Sequence, residues 1–376
     1  MTSICAEMLI VQKYGGSSVA DVARIRQVAM RIRDTRAGGA SVVVVVSAMG
    51  NTTNELLALA RQVSAAPRHR ELDMLISVGE RVSMALLAMA LDALGVPARS
   101  FTGSQSGIIT DGAHANARVV EVRPDRVRAA LDAGEVAIVA GFQGVSRDRE
   151  VTTLGRGGSD TTAVVLAAAL GADECEICSD VDGIWTADPR TVPDAIKLDT
   201  LTLDEALALA RNGAKVLYEE AVAWAHREGI ALRAVATSGG AGTTILARVD
   251  ANRVRVASVV RDVELGVLPL SELSSVAGGV RRASPRELLV DRRNLHAEWP
   301  GMAPAATVAA VGDNVGRDGA SLARVLAAAG WNDDGGAILD WHAERDAVVF
   351  RVTPSESAAL ERRLHLALSL PSGIHP

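Results

Sequence analysis

The sequence predicts an α/β fold with a largely parallel central sheet between helices, followed by a small α+β region at the C-terminal end. From residue 9 to residue 235, short apolar segments alternate with helical patterns, as expected of parallel strands joined by crossover helices. A glycine cluster at 239–242 then marks a boundary. Beyond it the composition changes, since three of the five tryptophans, Trp299, Trp331 and Trp341, lie there.

The first part of the chain opens with a predicted strand at 9–13 and a helix for which Asp21 is the N-cap. The apolar face of that helix consists of Val22, Ile25, Val28, Ala29 and Ile32. Residues 42–46 are consecutive valines, a pattern typical of a parallel strand buried on both faces. The further predicted elements are, in order, one long apolar helix at 71–94, a buried strand at 136–140, a helix at 161–170, a strand at 175–179, helices near 203–211 and 215–227, and a strand at 231–235.

The second part has a different pattern. Its predicted strands are 254–260, 264–268, 307–311, 337–341 and 347–352, and its predicted helices are 319–329 and 355–368. The last five of these elements follow one another as strand, helix, strand, strand and helix. This order indicates a small α+β module.

Composition excludes several classes of function. The chain has 376 residues, a net charge of −6 and only 3% aromatic residues. An acidic chain with few aromatic rings binds nucleic acid poorly, so we expect no nucleic-acid partner. With three cysteines a disulfide scaffold is excluded, and the lone CxxC of Cys175 and Cys178 has no second ligand pair for zinc. We therefore expect no resident metal site.

The sequence also gives no sign of a membrane protein. The N-terminus has neither a basic flank nor the apolar stretch of a signal peptide. No apolar run is expected to be long enough to span a bilayer. We therefore expect a cytoplasmic protein without a membrane partner.

Three glycine-rich loops, at 15–18, 50–54 and 155–160, each lie between a predicted strand and a predicted helix. Backbone N–H groups in such loops, together with a helix N-terminus, bind anions. If all three lie at the carboxyl ends of strands of one sheet, they indicate a phosphate site there. None matches the dinucleotide-binding or P-loop pattern, which argues against both of those folds.

Lysine is rare in this chain, and its positions are informative. Lys13, Lys197 and Lys215 are the only lysines, since arginine supplies the other positive charges. Lys13 ends the first strand at a glycine loop, where it can neutralise charge on a phosphoryl group in transfer. Lys215, at a predicted helix start, opposes the helix dipole unless an anion binds there. Ordinary surface lysines remain the alternative at both positions.

Several acidic and basic residues are further candidates. Asp160 lies among phosphate-binding groups, where a carboxylate would hold a metal ion or orient a lysine, and Arg156 offers a fork suited to a carboxylate. Glu80 is a charge in an apolar helix and either binds an ammonium group or pairs with Arg81. The segments around Ser179 and 188–190 would hold ribose and outer phosphates, or form tight turns. The seven histidines have no partners at the spacing of a hydrolase triad.

These stretches resemble the aspartokinases of the amino acid kinase superfamily. The resemblance rests on ordered motifs over the first 235 residues: KYGGSS at 13–18, SAMGNTTNEL at 47–56, GER at 79–81, SFTGSQ at 100–105, GFQG at 141–144, TLGRGGSD at 153–160, SDVDGIWTADPR at 179–190 and GAKVL at 213–217. It implies phosphorylation of the side-chain carboxylate of L-aspartate by ATP and Mg²⁺, with 4-phospho-L-aspartate as the product.

The resemblance also assigns roles by position. It implies that Lys13 stabilises the transferring phosphoryl group and that Asp160 orients Lys13. The residues implied in aspartate binding are Thr53, Glu80, Arg156, Gly157, Gly158 and Ser159. Those implied in holding ATP are Gly15, Gly16, Ser17, Ser179, Asp180, Trp185, Arg190 and Lys215.

The chain departs from the family in two places of the catalytic region. After 215–217 the family usually continues with a basic stretch, whereas this chain has Tyr218, Glu219 and Glu220. At 235–238 it has Val-Ala-Thr-Ser where the family carries an arginine and serines. We expect both departures to affect coupling between domains more than chemistry.

The C-terminal region departs further. We expect a catalytic domain at 1–248 and an ACT-like regulatory region at 249–376. Within that region, 306–368 with a partner strand at 254–260 resembles one ACT module, whereas 262–302 is too short for a complete second one. We therefore expect weak or no feedback inhibition by lysine or threonine, and a homodimer formed through the ACT-like region.

Two other functions remain open at this point. One is an amino acid kinase with another small acidic acceptor; Glu80, Arg156 and Thr53 favour aspartate over it. The other is a catalytically silent regulatory subunit. Silent relatives usually lose the phosphate lysine or the loop aspartate, and this chain keeps both Lys13 and Asp160.

Overall fold

The computed structural model divides into two compact units. It describes residues 8–247, 256–272, 280–283, 287–294, 302–331 and 338–368. Unit 1 comprises 8–184 and 216–247, and unit 2 comprises 185–215 with the described residues from 256 onward. Residues 185–215 therefore group with unit 2, although they lie inside the predicted catalytic domain. The functional boundary at residue 248 stays a prediction.

Strands and helices alternate through unit 1, whereas strands predominate in unit 2. The described strands are β1 (Leu9–Tyr14), β2 (Ser41–Val46), β3 (Ala98–Phe101), β4 (Ile108–Thr110), β5 (Val119–Val122), β6 (Val136–Ala140), β7 (Gln143–Ser146), β8 (Val151–Thr153), β9 (Glu174–Ser179), β10 (Thr200–Thr202), β11 (Leu232–Ala236), β12 (Thr243–Leu246), β13 (Ser258–Pro269), β14 (Val280–Ala283), β15 (Glu287–Asp291), β16 (Ala303–Val311), β17 (Ile338–Ala343) and β18 (Ala347–Val352). The described α-helices are α1 (Val22–Ala37), α2 (Thr52–Val63), α3 (His69–Ile76), α4 (Val78–Asp92), α5 (Asp125–Asp132), α6 (Gly158–Leu170), α7 (Leu203–Arg211), α8 (Glu219–Glu228), α9 (Gly319–Ala329) and α10 (Pro354–Ala367).

The central sheet of unit 1 confirms the predicted α/β class. Seven of its strands lie in the order β12-β11-β9-β1-β2-β6-β3, and only the β11–β12 pair among them is antiparallel. The valine strand β2 lies between β1 and β6, and its valines are buried, as predicted, because helices α1, α4, α5 and α6 pack against it. Helices α1 and α4 pack against this part of the sheet and share its core.

We expected the third glycine-rich loop to follow a strand of the central sheet. It follows strand β8 instead. This strand belongs to a separate sheet of order β5-β4-β7-β8. Helix α6, which the loop opens, returns to pack on β1 and β2. The loop is therefore brought back to the central sheet by its helix and not by its strand.

The predicted helix at 71–94 is two helices, α3 and α4, which meet at Ser77. Contrary to expectation, the run His69–Asp92 is long and apolar enough to cross a membrane by length and composition. Its inward side chains Met84, Leu87 and Leu91 nevertheless lie in the core of unit 1, as in the core helix of a globular protein.

Two other helices differ from their predicted form. Val22 lies on the exposed side of α1, whereas the other four predicted apolar residues are buried. Asp21 caps this helix as predicted and accepts the N–H of Arg24. Helix α8 begins at Glu219 and not at Lys215, because residues 215–217 form a bend.

Unit 2 contains an antiparallel sheet of order β14-β15-β13-β16-β18-β17, with α9 and α10 packed against a shared apolar core. The strands predicted at 254–260 and 264–268 form one strand, β13. The register shifts between Asp262 and Leu265, where the Asp262 carboxylate accepts the N–H of Glu264 and a hydrogen bond from Arg293. A bulge thus replaces the expected break. Residues 254, 255 and 337 of the predicted strands lie outside the described residues.

Candidate active site

The candidate site of unit 1 is built around an ion pair between Lys13 and Asp160. Lys13 is near the end of β1, and Asp160 lies in the first turn of α6. The Lys13 Nζ is 2.6 Å from the Asp160 Oδ1, and their side chains are 12% and 2% exposed. Two charges taken out of water are costly unless they remain paired. The ion pair therefore fixes the lysine amine where the helix meets the end of the strand.

The first glycine loop packs closely against the loop that follows β2. A side-chain carbon at Gly16 would lie only 2.9 Å from the carbonyl oxygen of Ala48. The Gly50 N–H also donates to the Gly16 carbonyl over 3.1 Å. A side-chain carbon at Gly15 would lie 3.5 Å from the Lys13 Nζ, and Ser17 is exposed. Glycine is therefore required at position 16, where the two loops meet, whereas a side chain at position 15 would make an ordinary contact with the lysine.

Glu80 is a buried carboxylate with an unpartnered oxygen. It lies in the first turn of α4 and is 3% exposed. Its Oε1 accepts the Ala48 N–H over 3.1 Å, whereas Oε2 has no hydrogen-bond partner among the described residues. The Nε of Arg81 also has no hydrogen-bond partner among the described residues. The alternative pairing of Glu80 with Arg81 is therefore not formed between Oε2 and Nε. Burial raises the pKa of Glu80 to about 7. Such a group is suited to a cationic ligand.

The third glycine-rich loop, at 155–160, enters α6 through a left-handed residue. Gly157 has φ 72°, and a side-chain carbon on it would overlap the ring of Tyr218. Ser159 is buried, and a side-chain carbon at Gly141 would lie 2.8 Å from its Oγ. Arg156 is exposed on this loop, and Gly158 is buried. Thr53 is half-buried in the first turn of α2.

Ser179 and Asp180 lie at the carboxyl end of β9. The Ser179 carbonyl accepts hydrogen bonds from the N–H and the hydroxyl of Thr237, over 2.7 and 2.8 Å. The Thr237 hydroxyl also lies 2.5 Å from that of Ser18. Asp180 is exposed. Thr237 therefore links the end of β9 to the first glycine loop.

Three of the predicted nucleotide-binding residues, Trp185, Arg190 and Lys215, belong to unit 2. Trp185 packs against a small apolar cluster that includes Val192. Arg190 is exposed and forms two hydrogen bonds with the Asp188 carboxylate, at 2.8 and 3.0 Å, which lower the pKa of Asp188. This local pairing agrees with the tight-turn alternative. Lys215 is exposed in the bend before α8 and not at a helix start.

Sequence reasoning missed three residues in contact with the site: Asp73, Thr237 and Tyr218. Asp73 is fully buried, and the only signal for it was an acidic residue flanked by the apolar Leu72 and Met74 in the helical pattern. Tyr218 and Thr237 lie in the two departures interpreted above as affecting domain coupling. The structure places both against glycine loops of unit 1, and their effect on domain coupling stays a prediction.

The described part of the chain contains no group of three or more His, Cys, Asp or Glu side chains placed to hold a metal ion. The end of β1 offers the largely buried amine of Lys13 and the backbone amides of the first glycine loop. The Glu80 carboxylate, with one unpartnered oxygen, contacts the neighbouring loop at Ala48. A site of this kind can hold an anion and a small molecule that carries an ammonium group.

Comparison with known proteins gives a consistent assignment. Residues 8–235 match the model of the amino acid kinase family. The aspartokinase of Mycolicibacterium smegmatis is 64% identical over 220 residues, which are 58% of this chain and 52% of that protein. The aspartokinase of Corynebacterium glutamicum is 52% identical over 283 residues, 73% of this chain and 67% of that protein. The chain spans about half the length of most curated relatives that it matches.

A solved structure shares the fold of this chain. It is the crystal structure of E. coli aspartokinase III in complex with aspartate and ADP, with a TM-score of 0.80. The match covers 96% of this chain and 99% of the other, at 22% identity.

Proposed function

Because this chain belongs to the amino acid kinase family and its curated relatives are aspartokinases, we propose that it phosphorylates the side-chain carboxylate of L-aspartate with MgATP. The product would be 4-phospho-L-aspartate. The predicted family is thus confirmed, and the activity is the function that the site supports best. The observation that carries the proposal is the buried Lys13–Asp160 ion pair at the end of β1.

The aspartate would be held by opposite charges at its two ends. The unpartnered Oε2 of Glu80 accepts a hydrogen bond from the substrate ammonium group, and Arg156 offers its fork to a substrate carboxylate. Thr53 and the glycine loop complete the binding surface, with Gly157, Gly158 and Ser159 contributing from the loop. Glu80 and Arg156 together select a small amino acid with a second carboxylate.

The phosphates of the nucleotide would bind at the first glycine-rich loop, at the end of β1. Gly16 and Ser17 present backbone N–H groups to the phosphates, and Gly15 contributes by close approach, since its own N–H donates to the Cys178 carbonyl over 3.4 Å. Ser179 and Asp180 face the nucleotide from the end of β9. The family resemblance alone assigns Trp185, Arg190 and Lys215 to ATP. ATP would be taken up as its Mg²⁺ complex, in which the ion would neutralise charge on the phosphates.

The chemistry then needs position and positive charge more than a proton transfer. One oxygen of the aspartate side chain attacks the γ-phosphorus in line; the new O–P bond forms as the bond to the ADP oxygen breaks. Lys13 stabilises the negative charge of the transferring group, and Asp160 keeps its amine in place.

We also propose the finer organisation expected from the sequence. It consists of a catalytic domain at 1–248, an ACT-like region at 249–376 that pairs two chains into a homodimer, and a cytoplasmic location. The antiparallel sheet of unit 2, with α9 and α10 packed on it, supports an α+β module there. Light scattering on the purified full chain would test the dimer.

A hydroxamate-trapping assay tests the activity. The purified chain is incubated with MgATP, hydroxylamine and either L-aspartate or L-glutamate, and the acyl phosphate is captured as its hydroxamate. We expect product with aspartate and little with glutamate. Turnover of glutamate in preference to aspartate would favour the alternative acceptor. No product with either amino acid, from a chain that still binds ADP, would favour the silent regulatory subunit.

A further inference from the structure

We propose that Asp73 is a positioning residue for the substrate aspartate, acting through Thr153 and the turn at 114–116 on the loop that carries Arg156. This inference rests on the proposed function and deepens it. Asp73 itself need not touch either substrate; it fixes the backbone on which the binding groups are mounted.

Asp73 is a fully buried carboxylate on α3 that receives donors from two other segments. Its Oδ1 accepts the Thr153 hydroxyl over 2.6 Å, and its Oδ2 lies 2.7 Å from the Nδ1 of His114. The N–H of Ala115 points at both carboxylate oxygens, at 3.1 and 3.2 Å. A buried charge is stable only when its hydrogen bonds are satisfied. Here they are satisfied by the 114–116 turn and the end of β8.

The turn that Asp73 holds is strained. Ala115 has φ 68°, a left-handed conformation that residues with a side chain adopt uncommonly and at some cost in energy. The Asp73 carboxylate accepts the N–H of Ala115, and this hydrogen bond offsets the strain at that residue. Loss of the carboxylate contacts would release the turn.

The same turn is docked on the start of the glycine loop. The Ala117 N–H donates to the Thr153 carbonyl over 2.8 Å. The Asn116 Oδ1 lies 2.6 Å from where a side-chain carbon on Gly155 would be, so the turn packs directly on that glycine. Arg156 is the next residue. Asp73 therefore acts on the Arg156 loop twice, through the Thr153 hydroxyl and through the turn.

Asp73 is also connected to the other end of the substrate site. Its carbonyl accepts the N–H of Ser77 over 3.1 Å, at the junction from which α4 carries Glu80. This main-chain bond of α3 does not depend on the Asp73 side chain, which acts on the Arg156 loop alone. A shift of that loop would weaken aspartate binding more than ATP binding, because the loop carries none of the residues assigned to the nucleotide.

Thr153→Val tests this with a matched control in the same strand. Thr152 is equally buried, and its hydroxyl also has a buried partner, the Thr110 hydroxyl at 2.6 Å. We expect Thr153→Val to raise the KM for aspartate by roughly 10-fold or more, the range for a lost hydrogen bond to a buried charge, with the KM for ATP unchanged within about 2-fold. Thr152→Val should leave both constants near wild type, and Thr153→Ser, which keeps the hydroxyl, should restore the KM for aspartate.

A second pair of variants keeps the proposal falsifiable if Thr153→Val folds poorly. His114 is partly exposed, with a side chain 21% accessible. His114→Ala removes its donor to Asp73, whereas His114→Asn can keep an N–H near the Nδ1 position. We expect His114→Ala, and not His114→Asn, to weaken aspartate binding in calorimetric titrations as well as in turnover.

The possible results are distinct. If wild type phosphorylates aspartate and Thr153→Val has the same KM for aspartate as Thr152→Val, the positioning role of Asp73 is wrong. A parallel rise of both KM values in Thr153→Val would also overturn it, since that indicates general loosening. A wild-type chain that neither binds nor phosphorylates aspartate overturns the proposed function, and this inference with it.

Discussion

Replacing Glu80 by glutamine should stabilise the ligand-free protein at alkaline pH while it abolishes most aspartate binding. Burial raises the pKa of this carboxyl from 4.5 to about 7. At 1.36 kcal/mol per pKa unit, keeping Glu80 ionised in the folded chain costs about 3 kcal/mol above pH 7. Glutamine avoids this cost but buries an amide N–H₂ in place of the unpartnered oxygen, which costs roughly 1 kcal/mol or more.

The sign of the pH dependence follows from the raised pKa. Between pH 4.5 and 7 the folded chain holds a proton on Glu80 that the unfolded chain has lost, so wild type loses stability as the pH rises through this range. The Glu80→Gln variant does not lose stability over this pH range through residue 80, because glutamine does not ionise. We expect the variant to gain about 2 kcal/mol over wild type at pH 8, and to show no gain near pH 5.

Aspartate binding should move in the opposite direction. Only the ionised carboxylate attracts the substrate ammonium group, so the wild-type KM for aspartate should rise as the pH falls below about 7. In Glu80→Gln the KM should be at least ~100-fold higher and lose this pH dependence, because a charged hydrogen bond in a buried site is removed.

The assay is urea unfolding of the ligand-free protein at pH 5 to 8, with aspartate titrations at each pH. Glu71→Gln is the control, since Glu71 is exposed on the neighbouring helix α3, and it should change neither stability nor aspartate binding. A Glu80→Gln variant less stable than wild type at pH 8, with unchanged aspartate binding, would refute the reasoning.

Three further outcomes are expected. Lys13→Ala should lower kcat by at least ~100-fold, as commonly found when a charge-stabilising group is removed; near-normal turnover would remove Lys13 from the mechanism. Gly157→Ala should destabilise the protein by about 1–2 kcal/mol from its left-handed backbone alone, and more from overlap with Tyr218, so adding Tyr218→Ala should recover part of the loss in a double-mutant cycle of melting temperatures. Additive effects in that cycle would contradict the contact. Lysine or threonine at low millimolar concentration should inhibit turnover weakly or not at all, and strong inhibition by either would show that the C-terminal region binds a feedback effector.

Local patterns in the sequence determined many elements of both units, but not the unit 1 elements β3, β4, β5, α5, β7, β8 and β12. The valine strand β2, the helix capped by Asp21, and the matching bounds of α7, α9 and β18 all follow from apolar periodicity and capping over a few residues. The rare lysine at the end of β1 was also visible, because its meaning depends on the adjacent glycines.

Only the tertiary structure decided which distant residues serve the candidate site. Thr153 and Asp73 are 80 positions apart, and Tyr218, which precedes α8 much later in the chain, packs on Gly157. The junction at Ser77, the origin of the third glycine loop in a second sheet and the grouping of 185–215 with unit 2 were equally hidden. Periodicity and turn signals act between neighbours along the chain, whereas these contacts arise when separate elements are packed together and their buried polar groups must find partners.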